Sequence, residues 1–573
     1  MLYIALSIGK YDYKGRFYLH AIAMAAGLVD AREPEGDGML GLSSADRTVS
    51  PPSIAIPREY NAAFDLLESN LRAGRAAKIA YIDDRGTLSY GELAHRVKQF
   101  AHALTRLGIE REQRVLLCLQ DTVDFPVAFL GCIWAGVVPV AVNTGLRSVD
   151  YQYLLSDSRA KALVISHCLL PQFSPILSSI SNLKHIILSD GEEPSHESID
   201  AMVSSGHCAE QPAATCCDDA CFWLYSSGST GTPKGTIHLH SSLIQTAELY
   251  ARPILGMHEQ DVIFSAAKLF FAYGLGNALT FPLSVGATAV LMRDRPVPEA
   301  IFARLIQHRA TIFCGVPTLY ASILATQLPA AASLNLRGCV SAGEALPKEI
   351  GERWRRHFAV DILDGIGSTE MLHIFLSNRF HDIRYGTTGD PVPGYEIRLV
   401  DDMGTDVERG QLGELLVAGP TSASGYWNNR AKSLHTFSGR WTRSGDKYYQ
   451  DANGHYVHAG RADDMLKVSG LYVSPTEVES VLLTHPCVLE AAVIGSEDGN
   501  GLVKPLACIV LKDPVTASDA LADQLKQHVK SLLAPHKYPR RVEFLAELPK
   551  TATGKIQRFK LREVYGHTAN TPV

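Results

Sequence analysis

The run Tyr225-Ser226-Ser227-Gly228-Ser229-Thr230-Gly231-Thr232-Pro233-Lys234-Gly235 packs four hydroxyl side chains, two glycines and one lysine into the eight residues from Ser227 to Lys234. Glycines let a backbone come close to an anion and turn its N–H groups toward it. Hydroxyls add donors, and the lysine adds a compact positive charge. The composition suits a polyphosphate. A Walker A loop is excluded, because Lys234 follows Pro233 and precedes Gly235. No Gly-x-Gly-x-x-Gly opens a helix nearby. Taken alone, the run is also compatible with a polar surface linker.

Elements must position such a loop. Cys221–Tyr225 reads as a buried strand and 241–250 as a helix, giving the strand–loop–helix setting usual for phosphate binding. Upstream, 114–119 is a short apolar run, 122–135 is helix-like and 137–142 is strand-like. Ala162–Ile165 and His185–Leu188 repeat the theme. This alternation predicts mainly parallel sheets covered by helices.

Three further clusters narrow the chemistry. Asp364-Gly365-Ile366-Gly367-Ser368-Thr369-Glu370 is a glycine-rich turn that ends in two hydroxyls and a carboxylate, and near a triphosphate that carboxylate is a natural Mg²⁺ ligand. Trp441 to Asp446, followed by Gly460 to Asp464, offers a carboxylate for ribose hydroxyls and Arg461 for phosphate. Pro549 to Arg558 places Lys555 after a glycine turn, a setting shared with ordinary surface lysines.

Composition bounds the rest. The chain of 573 residues leaves room for two to four domains, and its net charge of −6 argues against nucleic acid or an anionic membrane as partner. The 11 cysteines contain no Cys-x-x-Cys pair, so free thiols in a reducing cytoplasm are expected. No apolar run is long enough for a membrane span. Residues 1–38 lack the pattern of a signal peptide and read as a dispensable extension or a misassigned start.

In this order and spacing, the four motifs resemble the acyl-adenylate-forming superfamily, over roughly Asn61 to Val564. The stretches Phe222–His240, Lys268–Asn277 and Asp364–Phe375 resemble most the benzoate-type aryl-acid CoA ligases. The resemblance implies an α/β fold. A large N-terminal domain, 39–460, would combine helix-covered mixed and parallel sheets with a β-barrel-like part. A small mobile α+β C-terminal domain, 461–573, would rotate about Asp463. The implied reaction is ATP-dependent formation of an aryl-AMP, then transfer of the acyl group to CoA, with benzoate as first choice. Hydroxybenzoate or aminobenzoate CoA ligases, an adenylating enzyme that loads a carrier protein, a nucleotide-binding protein without catalysis and a luciferase-like oxidase are the alternatives.

The resemblance carries roles onto particular residues. Ser226, Ser227, Gly228, Thr230, Gly231, Thr232 and Lys234 would hold the β- and γ-phosphates. Thr369 would contact the α-phosphate and Glu370 would bind Mg²⁺. Adenine would lie against Ser341, Gly343, Glu344, Asp364 and Ile366, and Asp446 with Arg461 would hold the ribose. Lys555 would bridge carboxylate and α-phosphate. After rotation, Lys467 would approach the acyl group and Gly470 would admit the pantetheine arm. Phe271, Ala272, Tyr273, Gly274, Val316, Gly343, Gly367, His373 and Ile374 would line a short, flat slot for one ring. Two departures stand out: Ile366 replaces the aromatic common among relatives, and Ser444 replaces a threonine. A monomer or homodimer is expected, as is reversible acetylation of Lys555 by an acetyltransferase and deacetylase.

Overall fold

The structure, a computed structural model, describes residues 40–204, 206–227, 233–462, 464–468, 471–498, 502–550 and 556–566. The side chains of Ser227, Lys467, Leu471, Tyr472 and Val515 are outside that description. The expected extension, 1–38, lies outside it as well.

Two large sheets dominate. The first has eight strands, and its centre is the parallel set Val138–Ala141, Arg114–Cys118, Ala162–Ser166 and His185–Ser189. These are the apolar runs expected from the sequence, and burial on both faces accounts for their unbroken hydrophobicity. The second sheet has nine strands, with Gly338–Ser341 between Ile312–Gly315 and Ile362–Gly367 in parallel. Helix Asp124–Trp134, buried at every position, packs with helices Ala62–Arg72 and Tyr90–Arg106. Their shared core takes Leu117 and Val164 from the first sheet and Tyr81 and Ala289 from the second. Helix Tyr90–Arg106 starts at a capping box, in which Ser89 and Glu92 each satisfy the other's backbone N–H.

A five-stranded antiparallel sheet follows, built on Glu396–Val400, Gly413–Ala418 and Trp441–Gln450; it is the barrel-like part. Beyond Arg461, the described strands pair only among themselves. Val488–Glu497, Val503–Leu511 and Arg541–Phe544 form a three-stranded sheet packed on helices Pro475–Leu483 and Asp519–Leu532. In an open α/β sheet, ligands gather at the carboxyl ends of the strands. Ser341 and Gly367 end their strands in the second sheet, and Ser227 ends its strand in the first.

Candidate active site

Strand Ala220–Ser227 runs antiparallel to Pro233–Leu239, with Ser226 opposite Lys234 and Ser227 opposite Pro233. The phosphate-type run therefore closes a hairpin, which corrects the strand–loop–helix expectation. The helix follows one strand later, as His240–Thr246 continued by a π-helical turn, Ala247–Ala251. Gly228, Thr230, Gly231 and Thr232 fall outside the described residues, so the structure describes only the two arms of this hairpin.

A second hairpin carries the acidic turn. Ile362–Gly367 pairs antiparallel with Ile374–Ser377 around a 3₁₀ turn, Thr369–Met371. Glu370 Oε1 accepts from Ser226 Oγ at 3.3 Å and from the Tyr426 hydroxyl at 2.7 Å. Tyr426 reaches it because Tyr426 pairs with Thr236 at the sheet edge. Burial pushes the Tyr426 hydroxyl pKa upward, and the neighbouring Glu370 charge adds to this, so it remains a donor. Lys234 Nζ lies 4.5 Å from the centre of the Tyr426 ring. Ser226, Lys234 and Glu370 are thus brought together by a tyrosine that sequence reasoning missed.

His238 was missed too. It sits inside the stretch that carried the resemblance, but nothing in its spacing marked it. It is fully buried, stacked on Phe222 at 5.1 Å, and its Nε2 lies 2.8 Å from the Thr369 carbonyl. Burial pushes its pKa down to about 4, so the ring is neutral and donates its Nε2 proton to that carbonyl. Among the described residues, no three histidine, cysteine or acidic side chains converge as a metal cage. A lone carboxylate already oriented by two donors fits Mg²⁺, which is bound largely through substrate phosphates and water.

A cleft of about 740 Å³ adjoins this turn, lined by Gly343, Glu344, Asp364, Ile366, Asp446 and Arg461 on one side and by Ile556 and Arg558 on the other. Gly343 has φ +95°, a conformation that side chains resist. Asp364 is buried, which pushes its pKa well up, and its Oδ1 finds no hydrogen-bond partner among the described residues. The Ser341 hydroxyl is in the same position. Unmatched polar atoms beside a cleft suit a polar ligand. Arg461 Nη1 donates to Ser444 O at 3.0 Å and to Asp446 Oδ1 at 3.3 Å, while Ser444 Oγ accepts the Asp446 N–H at 3.0 Å. Asp446 and Arg461 are therefore a fixed pair at the cleft wall. Asp463, Gly470 and Lys555 are outside the described residues. Lys467 is described as main chain only, in strand Leu466–Val468.

Part of the expected ring slot comes together around His373. Phe271, Ala272, Tyr273 and Gly274 open a short helix, Ala272–Leu275, followed by a second π-helical turn, Gly276–Thr280. His373 lies between the two π turns, with ring centres 5.3 Å from Tyr250, 5.6 Å from Tyr273 and 4.6 Å from Phe281. A Cβ on Gly276 would overlap the His373 ring. Burial pushes the His373 pKa down to about 3, so this is a neutral ring. The Tyr273 hydroxyl donates to Val340 O at 3.0 Å and is spoken for. Val316 neighbours Gly343, whereas Ile374 is buried in the adjoining core.

The cleft at the strand ends, the Ser226 and Lys234 arms of the hairpin and the oriented Glu370 together form a polar site of the kind that suits a phosphorylated ligand. Residues 68–427 match the AMP-binding enzyme family, and residues 477–555 match the AMP-binding enzyme C-terminal domain. The chain belongs to the AMP-binding enzyme family. It is 59% identical over 527 residues to a benzoate–CoA ligase of Thauera aromatica, covering 91% of this chain and 100% of that protein. It is 50% identical over 515 residues to a 4-hydroxybenzoate–CoA/benzoate–CoA ligase of Rhodopseudomonas palustris, covering 88% and 94%. A solved benzoate CoA ligase from Burkholderia xenovorans has 56% identity and a TM-score of 0.83, covering 88% of this chain and 100% of that one. An anthranilate CoA ligase solved with anthranoyl-AMP has 42% identity and a TM-score of 0.85, covering 89% and 98%.

Proposed function

We propose that this protein activates an aromatic carboxylic acid, benzoate first, with ATP and passes the acyl group to CoA, releasing AMP and pyrophosphate. The observation that carries this reading is the 59% identity to a benzoate–CoA ligase, because the match covers 91% of this chain and 100% of that protein.

The chemistry follows from the groups. A carboxylate oxygen attacks the α-phosphorus of ATP, the bond to the β-phosphate bridge breaks, and pyrophosphate leaves. Lys234 and the hydroxyls of the hairpin would hold the β- and γ-phosphates, Thr369 would stand at the α-phosphate, and Lys555 would steady both reactants. Glu370 would hold Mg²⁺, which when bound neutralises charge on the phosphates. Asp446 would take the ribose hydroxyls, oriented by Arg461. Preorganised donors of this kind supply most of the rate enhancement in such reactions. In the second step a CoA thiolate attacks the acyl carbon and AMP leaves. The part beyond residue 461 would turn about Asp463 between the steps, bringing Lys467 and Gly470 to the acyl group. A cytoplasmic monomer or homodimer, with Lys555 open to acetylation, completes the reading.

The test is ATP- and CoA-dependent AMP release over benzoate, its 2-, 3- and 4-substituted forms, cyclohexanecarboxylate, cinnamate and fatty acids. A sharp preference for benzoates is expected. A preference for aliphatic acids would keep the adenylation chemistry and overturn the ring slot. Activity only with an acyl-carrier protein would overturn CoA as acceptor.

A further inference from the structure

Glu344 follows strand Gly338–Ser341, in the part of the chain before residue 461. Its Oε1 accepts the main-chain N–H of Ile556 at 3.1 Å, which belongs to the part beyond it. The carboxylate thus reaches across the cleft to the residue that follows Lys555. A hydrogen bond from a backbone N–H to a carboxylate is charge-assisted and directional.

The receiving end is firmly built. Ile556 forms an antiparallel bridge with Lys550, and Gln557 N–H donates to Pro549 O at 2.8 Å, so Pro549–Lys550 and Ile556–Gln557 are pinned to each other. Two residues past Ile556, the Arg558 guanidinium pairs with Glu479 at 2.7 and 2.8 Å. Arg562 Nη1 donates to Asp464 Oδ1 at 2.7 Å, and Arg558 lies 3.9 Å from the same carboxylate. Asp464 adjoins the expected hinge residue. Ile556 and Gln557, the helix Arg558–Tyr565 and Asp464 are therefore tied into one assembly. Among the described residues, Glu344 takes hold of it from the nucleotide side through Ile556, and its charge also acts on the Arg558 guanidinium.

We infer that Glu344 is a positioning residue for the first half-reaction: its carboxylate docks Ile556, the residue that follows Lys555, against the nucleotide cleft, and the contact is lost when the C-terminal part rotates. This rests on the two-step reading above. It gives the Glu344 side chain a role in addition to the adenine-wall position that the resemblance implies for this residue. Because the bond exists in one pose, removing it weakens that pose and leaves the other untouched.

The test uses the full chain with Glu344→Ala and Glu344→Gln, after both are checked for wild-type melting. Three quantities are measured: pyrophosphate release from ATP and benzoate without CoA, CoA-dependent consumption of supplied benzoyl-AMP, and the ATP dissociation constant. Glu344→Ala is expected to slow pyrophosphate release about 10- to 100-fold, the range for a lost hydrogen bond to a charged group. Thioester formation and ATP affinity should each change less than about threefold. Glu344→Gln, whose amide oxygen still accepts, should recover pyrophosphate release to within about fivefold. The inference is overturned if both half-reactions fall together, if pyrophosphate release is unchanged, or if ATP affinity drops as much as the rate. A wild-type protein that makes no benzoyl-AMP would instead sink the functional reading itself.

Discussion

Glu370 and His373 stand three residues apart in one hairpin, yet opposite physics holds them. Glu370 is fixed by hydrogen bonds from Ser226 and Tyr426, groups that come from two other strands and leave a carboxylate ready for a cation. His373 is fixed by packing against rings and a glycine, in a setting dry enough to hold the imidazole neutral. On the proposed function, the contrast would separate chemistry from selectivity: one end of the hairpin would serve ATP, and the other would meet the acid.

That separation can be broken most severely at Glu370. Glu370→Ala should lower acyl-AMP formation about 10²- to 10³-fold, the loss seen when one preorganised charge-stabilising group is removed. The ranking of benzoates by kcat/KM should survive; a reordered ranking would show that the two ends are coupled. Tyr426→Phe is the milder version. It removes one hydrogen bond to a carboxylate, so kcat should fall about tenfold while KM for benzoate stays within about twofold. At the other end, Gly276→Ala should push the His373 ring aside and raise KM for benzoate about fivefold, with ATP affinity unchanged. Equal effects on acid and ATP would dissolve the distinction.

The two buried histidines sharpen it through pH. Burial lowers the folded pKa of His238 to about 4 and of His373 to about 3, from an ordinary 6.5. Between those values and 6.5 the unfolded chain binds more protons, so their contribution to stability is full above about pH 6.5 and is lost as pH falls. Replacing either ring, as in His373→Phe, should flatten the acid limb of a melting-versus-pH curve by about 1.4 kcal/mol per pH unit at most. An unchanged slope would mean that the ring is already protonated in the fold. The smallest effect is expected from starting the chain at Met39: melting temperature and turnover should match the full chain, and loss of either would make the first 38 residues part of the enzyme.

Much of this was legible because local pattern and tertiary role coincide. Unbroken apolar runs such as Arg114–Cys118 and Ala162–Ser166 are central parallel strands, since a strand covered on both faces has no reason to alternate. Asp446 and Arg461 were readable as a pair from their chemistry, and antiparallel register sets them opposite each other. Tyr426 was not readable. Its role depends on pairing with Thr236, 190 positions away, and no local signal encodes such a partner. His238 was hidden in plain view, because a buried histidine on a strand looks the same whether it fills space or orients a carbonyl. Neither π turn could be read from periodicity, since each inserts one residue into an otherwise ordinary helix. Glu344 was named from the resemblance as part of the adenine wall, but its hydrogen bond to Ile556 is a tertiary fact that no local pattern encodes.

The hairpin that carries the phosphate-type run has one more consequence. A loop that opens a helix borrows roughly half a positive charge from the aligned peptide dipoles behind it. Here a strand, Pro233–Leu239, stands where that helix would be, and strands carry almost no net dipole. On the proposed function, compensation of a triphosphate would therefore lean on discrete charges, Lys234 among them, rather than on a helix dipole. Affinity for ATP should accordingly decline with added salt and fall steeply in Lys234→Ala, where a dipole-backed loop would be cushioned against both.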